Sequence, residues 1–186
     1  MTIALVLGRA ACLWPDLYRA TALGEFDGVV ACNDAAAAYP GRLDAAVSLH
    51  AEKLPLWLAR RARRRFRRPA RVIANLEALH SRPAVVAGIT HHVEFRFDGQ
   101  DLTGSSGLFA LKVALVDLGF DRAVLCGVPM DGGQGHFNDP APWDEAAKYR
   151  AGWAQALPEI GGRARSMSGW TAEILGRPDA TWIGGH

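Results

Sequence analysis

Three polar features of this 186-residue sequence combine the residue types and spacing that chemistry needs. Ser105-Ser106-Gly107 stands immediately before an apolar-periodic run that begins at Leu108. A helix starting there has first-turn N–H groups without helical partners and a partial positive charge, which together hold an anion. The serine hydroxyls add donors, and Gly107 lets a phosphate come close to the backbone. The same residues also read as a serine N-cap with no ligand. His136 lies in Gly132-Gly133-Gln134-Gly135-His136-Phe137-Asn138, too rich in glycine to be core. An imidazole on such a loop is either a general base or phosphate partner, or simply solvated. Asn33 follows the apolar run Gly28–Cys32, where it either reaches a base or ribose or closes the run with an Asx-turn.

Weaker signals surround these. Gly8-Arg9-Ala10-Ala11-Cys12 has neither GxGxxG nor GxxxxGK[ST], so a P-loop ATPase and an ordinary NAD site are not indicated. Asp131, after Gly127-Val128-Pro129-Met130, is a candidate contact to a hydroxyl or a metal, or a turn former. His91-His92 point to opposite faces if extended, and no HExxH or Cys/His cluster accompanies them, so no metal site is expected. Cys12, Cys32 and Cys126 are odd in number and lack CxxC spacing, so neither a disulfide framework nor a zinc ribbon is indicated. With no basic leader and no apolar run near the ~18 residues of a membrane span, a cytoplasmic protein with free thiols is expected.

The elements that must position these residues follow from periodicity. At 49% hydrophobic and 22% charged residues, the chain is long enough for one full core, so one domain over residues 1–186 is expected. Ile3–Leu7, Gly28–Cys32 and residues 45–49 are short apolar runs, each followed by a glycine or polar residue: Gly8, Asn33 and His50. Helices are expected over 14–23, 108–118 and 142–157, and strands over 72–74, 85–89, 93–97, 123–126 and 164–167. The alternation of strand and helix predicts an α/β fold, a Rossmann-like, doubly wound, mainly parallel sheet with right-handed crossovers. Its loops at the strands' carboxyl ends would form the site.

Residues 53–71 read as a basic helix carrying Arg60, Arg61, Arg63, Arg64, Arg65, Arg67, Arg68 and Arg71. The overall charge of +2 hides this cluster. It reads as a solvated helix face or as a surface for nucleic acid, anionic lipid or another acidic partner; it has no DNA-reading motif.

Taken in order, the motifs resemble the bacterial sialyltransferases of the glycosyltransferase-42 type and the related MptE-like (DUF115) Rossmann proteins. Gly8-Arg9-Ala10-Ala11-Cys12-Leu13 looks like that group's G-N-G-P-S-L loop, with Arg9 and Ala10-Ala11 in place of asparagine and proline-serine. Val30-Ala31-Cys32-Asn33 is similar to its strand ending in a nucleotide-contacting asparagine, and Ala46-Val47-Ser48-Leu49-His50 to the next strand. Ser105-Ser106-Gly107 through Leu118-Gly119-Phe120 to Gly127-Val128-Pro129-Met130-Asp131 resembles (T/S)-S-G…A-L-G-(Y/F)…G-(I/V)-D, with Pro129 displacing the acid to Asp131. Arg165-Ser166-Met167-Ser168 resembles the late strand and its serine loop.

The resemblance implies transfer of a sugar, sialic acid among the candidates, from a nucleotide-sugar donor (a CMP-sugar) to a hydroxyl, without a metal or other cofactor. It places the phosphate against Ser105, Ser106 and Gly107, with Gly8 and Arg9 beside it. Asn33 and His50 lie nearer the nucleoside, and His136 is the base that deprotonates the acceptor. Two other readings stay open: a diphosphotransferase using ATP, Mg²⁺ and Asp131, and a non-catalytic nucleotide-binding or phage-associated interaction module.

Overall fold

All five residues of β1 (Ile3–Leu7) are buried. Ala4 and Val6 join the apolar layer on one side of the sheet, and Ile3, Leu5 and Leu7 join the layer on the other. A strand covered on both faces needs apolar residues at every position, which is why this run does not alternate. In the computed structural model, residues 1–77 and 88–184 are described.

Within them the chain continues through α1 (Leu13–Thr21), β2 (Gly28–Cys32), α2 (Asp34–Ala38), β3 (Ala45–Ser48), α3 (Leu54–Arg63), β4 (Arg71–Asn75) and β5 (His91–Val93). After these come α4 (Ser106–Lys112), β6 (Arg122–Cys126), α5 (Arg150–Ile160), β7 (Ala164–Ser166), α6 (Gly169–Leu175) and α7 (Ala180–Gly184). The seven strands form one sheet in the order β5-β4-β3-β2-β1-β6-β7, every pair parallel.

That order decides where a ligand fits. Strands β1 to β5 wind outward in one direction, and β6 then returns to the other side of β1. The connection leaving β1 enters α1 on one face of the sheet, and the one leaving β6 leads to α5 on the opposite face. The chain therefore parts between the carboxyl ends of β1 and β6, the topological switch point at which open parallel sheets form a crevice.

The expected elements were altered where side chains intervened. The helix expected over 108–118 starts at Ser106 and widens at Val113–Asp117 into a π-helical turn, bridged by the buried Lys112 and the exposed Asp117 at 2.9 Å. The helix expected over 142–157 begins as a 3₁₀ turn, Asp144–Tyr149, and runs on to Ile160. The strand expected over 93–97 is instead β5, and Phe95 and Phe97 are buried from a non-strand segment. Of the strand expected over 85–89, residues 85–87 lie outside the described residues; Gly88 and Ile89 are not in a strand.

The basic segment is not one helix over 53–71. It is a 3₁₀ turn, Ala51–Lys53, then α3 ending at Arg63, with Arg65 in the left-handed region at φ +59°. Pro69 disfavours helical geometry at the residue before it. Nor is the whole cluster a solvated face: Arg61 is 1% exposed. Its guanidinium donates to the carbonyls of Ala36 (3.0 Å), Tyr39 (2.5 Å), Gly41 (2.6 Å) and Arg67 (2.6 Å). Those around the end of α2 include groups that a helix leaves without partners. Replacing Arg61 with alanine is expected to cost about 3 kcal/mol in urea unfolding, because several buried carbonyls lose their donor together. Arg61→Lys should recover under half of that, since an ammonium lacks the planar fork.

Candidate functional site

The switch point is closed by two glycines and one carboxylate. Gly8 follows β1 so closely against the end of β6 that a Cβ there would lie 2.2 Å from the Gly127 carbonyl oxygen and 2.5 Å from Val128 Cγ2. Gly127 turns the chain out of β6 at φ +70°. Its N–H donates to Asp16 Oδ2 at 3.0 Å, and the same oxygen accepts from Ser168 Oγ at 2.6 Å. Asp16 is fully buried and its other oxygen accepts from Arg19 at 2.6 Å. One side chain of α1 thus ties together the β6 turn and the loop after β7. Sequence reading did not single it out: an acid in a helix's first turn is expected from the helix dipole alone.

Above this closure lies a cavity of about 330 Å³, and all nine candidate residues line it. Four described non-glycine residues have positive φ, and three of them, Asn33 (+53°), Ser105 (+98°) and Met130 (+54°), are in its wall. Backbone held this way costs on the order of 1–3 kcal/mol per residue and concentrates at functional sites.

Ser105 bends the chain into α4 without capping it; its Oγ lies 3.7 Å from Met130 Sδ. The first N–H groups of α4 therefore have no side-chain cap, and Ser105, Ser106 and Gly107 all face the cavity. Gly107 has a packing role as well as that of admitting a ligand, because a Cβ would meet Val128 Cγ1 at 2.6 Å.

Asn33 ends β2 and its orientation is set by its neighbour. Ser48 Oγ accepts from the His50 N–H (2.8 Å) and donates its own proton to Asn33 Oδ1 (2.8 Å), which leaves the Asn33 amide N–H groups to donate. His50 itself is on the rim, its ring half-exposed and 3.7 Å from Glu52.

The His136 loop is stitched to the loop after β1. The Ala11 N–H donates to the Gly135 carbonyl at 3.0 Å, and the Phe137 N–H to that of Arg9 at 3.0 Å. Partial burial holds the imidazole below its usual value of 6.5, and the charge of Arg9 adds to the effect. The ring is therefore neutral at pH 7, as a base must be. Its Nδ1 and the Nε of Arg9 are buried without a hydrogen-bond partner among the described residues. Orphaned polar atoms of this kind are rare in folded proteins. Arg9 is 3.7 Å from Asp34, which also accepts from Asn138 at 2.5 Å. Trp143 lies against His136, ring centres 5.8 Å apart, and stacks on Tyr149; sequence reading gave these aromatics no role.

One oxygen of Asp131, Oδ1, is engaged. Its carboxylate accepts the Trp170 N–H at 3.0 Å at the start of α6 and faces Arg150 at 3.6 Å, while Arg150 also donates to the Met130 carbonyl. Among the described residues no three His, Cys, Asp or Glu side chains are grouped to hold a metal ion. Burial raises the Cys12 and Cys32 thiols to about 12, and Cys126 well above the usual value, so no thiolate nucleophile is present at neutral pH. No helix among the described residues is long and apolar enough to cross a membrane.

No protein-family model and no curated protein matches the sequence. Solved structures do match. The sialyltransferase CstII from Campylobacter jejuni, in complex with the substrate analogue CMP-3FNeuAc, superposes with a TM-score of 0.57 at 13% identity, covering 97% of this chain and 88% of that one. The sialyltransferase CST-II with a trisaccharide acceptor and CMP gives 0.57 at 13%, covering 96% and 87%. The likeness is one of fold.

Proposed function

We propose that this chain transfers a glycosyl group from a nucleotide sugar to a hydroxyl acceptor. The observation that carries the reading is the meeting, in one cavity at the switch point, of the uncapped start of α4, the donor side of the Asn33 amide and an imidazole held neutral at pH 7. The donor's phosphate rests on the N–H groups and hydroxyls of Ser105, Ser106 and Gly107, and the nucleoside lies toward Asn33 and His50. As the bond from sugar carbon to phosphate oxygen breaks through an oxocarbenium-like state, the acceptor oxygen bonds to that carbon and its proton passes to His136. Charge building on the departing phosphate is met by the α4 amides and by Arg9, fixed donors in a partly dry site.

The donor we favour is a CMP-sugar. The motif resemblance and the CMP in the neighbouring structures support it, and sialic acid is the first sugar to test. The diphosphotransferase reading is less favoured because Asp131, the acid it needs, already has one oxygen engaged by Trp170 and Arg150 and has no grouped metal-ligating partners among the described residues.

Thermal unfolding with CMP, CDP, UDP, GDP, ADP, ATP and a CMP-sugar, with and without Mg²⁺, tests the reading. At a hundredfold excess over Kd a ligand stabilises by about 2.7 kcal/mol, an expected rise of roughly 5–10 °C for a chain of this size. CMP or the CMP-sugar should produce it and Ser106→Trp should abolish it. A flat response across the panel would sink the proposal, and a rise with ATP that requires Mg²⁺ would favour phosphoryl chemistry.

A further inference from the structure

We infer that the arginine-rich surface formed by the carboxyl half of α3 and the turn into β4 binds the phosphate backbone of a nucleic acid, without reading its bases. This goes beyond the proposed transfer and uses none of the cavity's residues. Between Glu52 and Glu77 there is no acidic residue. Nine of the chain's 21 Lys and Arg lie in that interval, leaving twelve against all 19 Asp and Glu elsewhere, a net −7. The formal +2 is thus the balance of a strongly positive patch and a negative remainder.

The structure separates the internal arginine from the rest. Arg61 is consumed by carbonyls, whereas Arg60, Arg63, Arg64, Arg65, Arg67, Arg68 and Arg71 are exposed. Arg64 and Arg68 each give one hydrogen bond to a carbonyl, and no carboxylate pairs with any of the seven among the described residues. The undescribed residues 78–87 contain no Asp or Glu either. A solvated helix face normally mixes signs. Here the only charges are positive: Arg60 and Arg63 stand in the last turn of α3, and the other five follow in the turn into β4. The patch therefore keeps a charge that no carboxylate among the described residues offsets.

Position and composition select the partner. α3 starts at the cavity wall, which Lys53 and Trp57 help form, and ends at Arg63, after which the chain turns back to enter β4 at Arg71. The surface therefore lies toward the amino-terminal end of β4, whereas the cavity lies at the carboxyl ends of the strands. Guanidinium forks match phosphate oxygens in pairs. No large apolar side chain is exposed from 60 to 71; Phe66 is half-buried, with Arg61 over its ring at 5.6 Å. Without apolar residues to insert, an anionic lipid surface is a poorer fit. Without exposed aromatics to stack on bases, recognition rests on phosphates and is indifferent to sequence.

Fluorescence anisotropy with labelled mixed-sequence duplex and single-stranded oligonucleotides of about 30 nucleotides tests this. Binding at about 50 mM salt should weaken on the order of 10³-fold by 200 mM, with little change on scrambling the sequence. In Arg60→Ser/Arg63→Ser/Arg67→Ser, none of whose side chains makes a bond among the described residues, the log–log salt slope on the duplex should become shallower by about 2.7, at about 0.9 per contact. The triple lysine variant should keep the slope, which separates charge from misfolding. No binding at 50 mM, or a slope unchanged in the serine variant, overturns the inference. Tighter binding to phosphatidylserine vesicles than to either oligonucleotide at equal salt also overturns it, assigning the surface to lipid headgroups.

Discussion

Replacing His136 with alanine is expected to lower kcat for sugar transfer by about 10²–10⁴-fold, the usual loss on removing a positioned general base, while the nucleotide-induced thermal shift stays within a degree or two of the parent. On the proposed reading binding survives, because the phosphate would rest on α4 and the nucleoside on Asn33, which line the same cavity as separate elements. The pH profile supplies an independent readout. Partial burial, with Arg9 beside it, lowers the folded-state pKa of the imidazole below 6.5, so the acidic limb of kcat/KM, which reports the free enzyme, should turn below that value. Arg9→Gln removes the second cause and should move the limb upward. The same shift affects stability. The unfolded chain takes up this proton first as pH falls, so His136's contribution is complete above about 6.5 and is lost as pH drops from there through the folded value. An alanine variant with unchanged kcat would remove His136 from the mechanism.

A different class of effect is expected at Asp16. Asp16→Ala should lower the unfolding free energy by about 3 kcal/mol, although its ion pair with the half-exposed Arg19 is worth little by itself. The cost comes from the Gly127 N–H and the Ser168 hydroxyl, each left without its acceptor in the interior, at roughly 1–3 kcal/mol apiece. Because Gly127 begins the loop that carries Val128, Met130 and Asp131 into the cavity wall, nucleotide affinity should fall with stability. Asp16→Asn keeps one acceptor oxygen and should lie between the two. Urea unfolding of the three proteins gives the order; equal midpoints would mean that water replaces the carboxylate and that the closure is not structural.

The strands were legible because burial on both faces leaves a mark at every position: Ile3–Leu7, Gly28–Cys32 and residues 123–126 read as apolar runs and form the centre of the sheet. The start of α4 was legible for the same local reason, a serine-glycine entry followed by helical periodicity. The end of α3 was misread because a run of arginines looks helical and exposed, whereas what stops the helix is the left-handed turn at Arg65 and the approach to Pro69.

By itself, then, the sequence determined the elements and put the chemically capable residues at their carboxyl-terminal loops, since hydrophobic period and turn chemistry act over a few neighbours. Tertiary structure alone decided that Asp16 would meet Gly127 across 111 residues and Ser168 across 152, and that Arg61 would enter the interior. It likewise decided that Ser48 would turn the Asn33 amide and that Arg9 would stand beside a half-buried His136. These are hydrogen bonds and burials between distant segments. Their energies depend on which side chains the sheet order brings within about 3 Å, and no local period records that order.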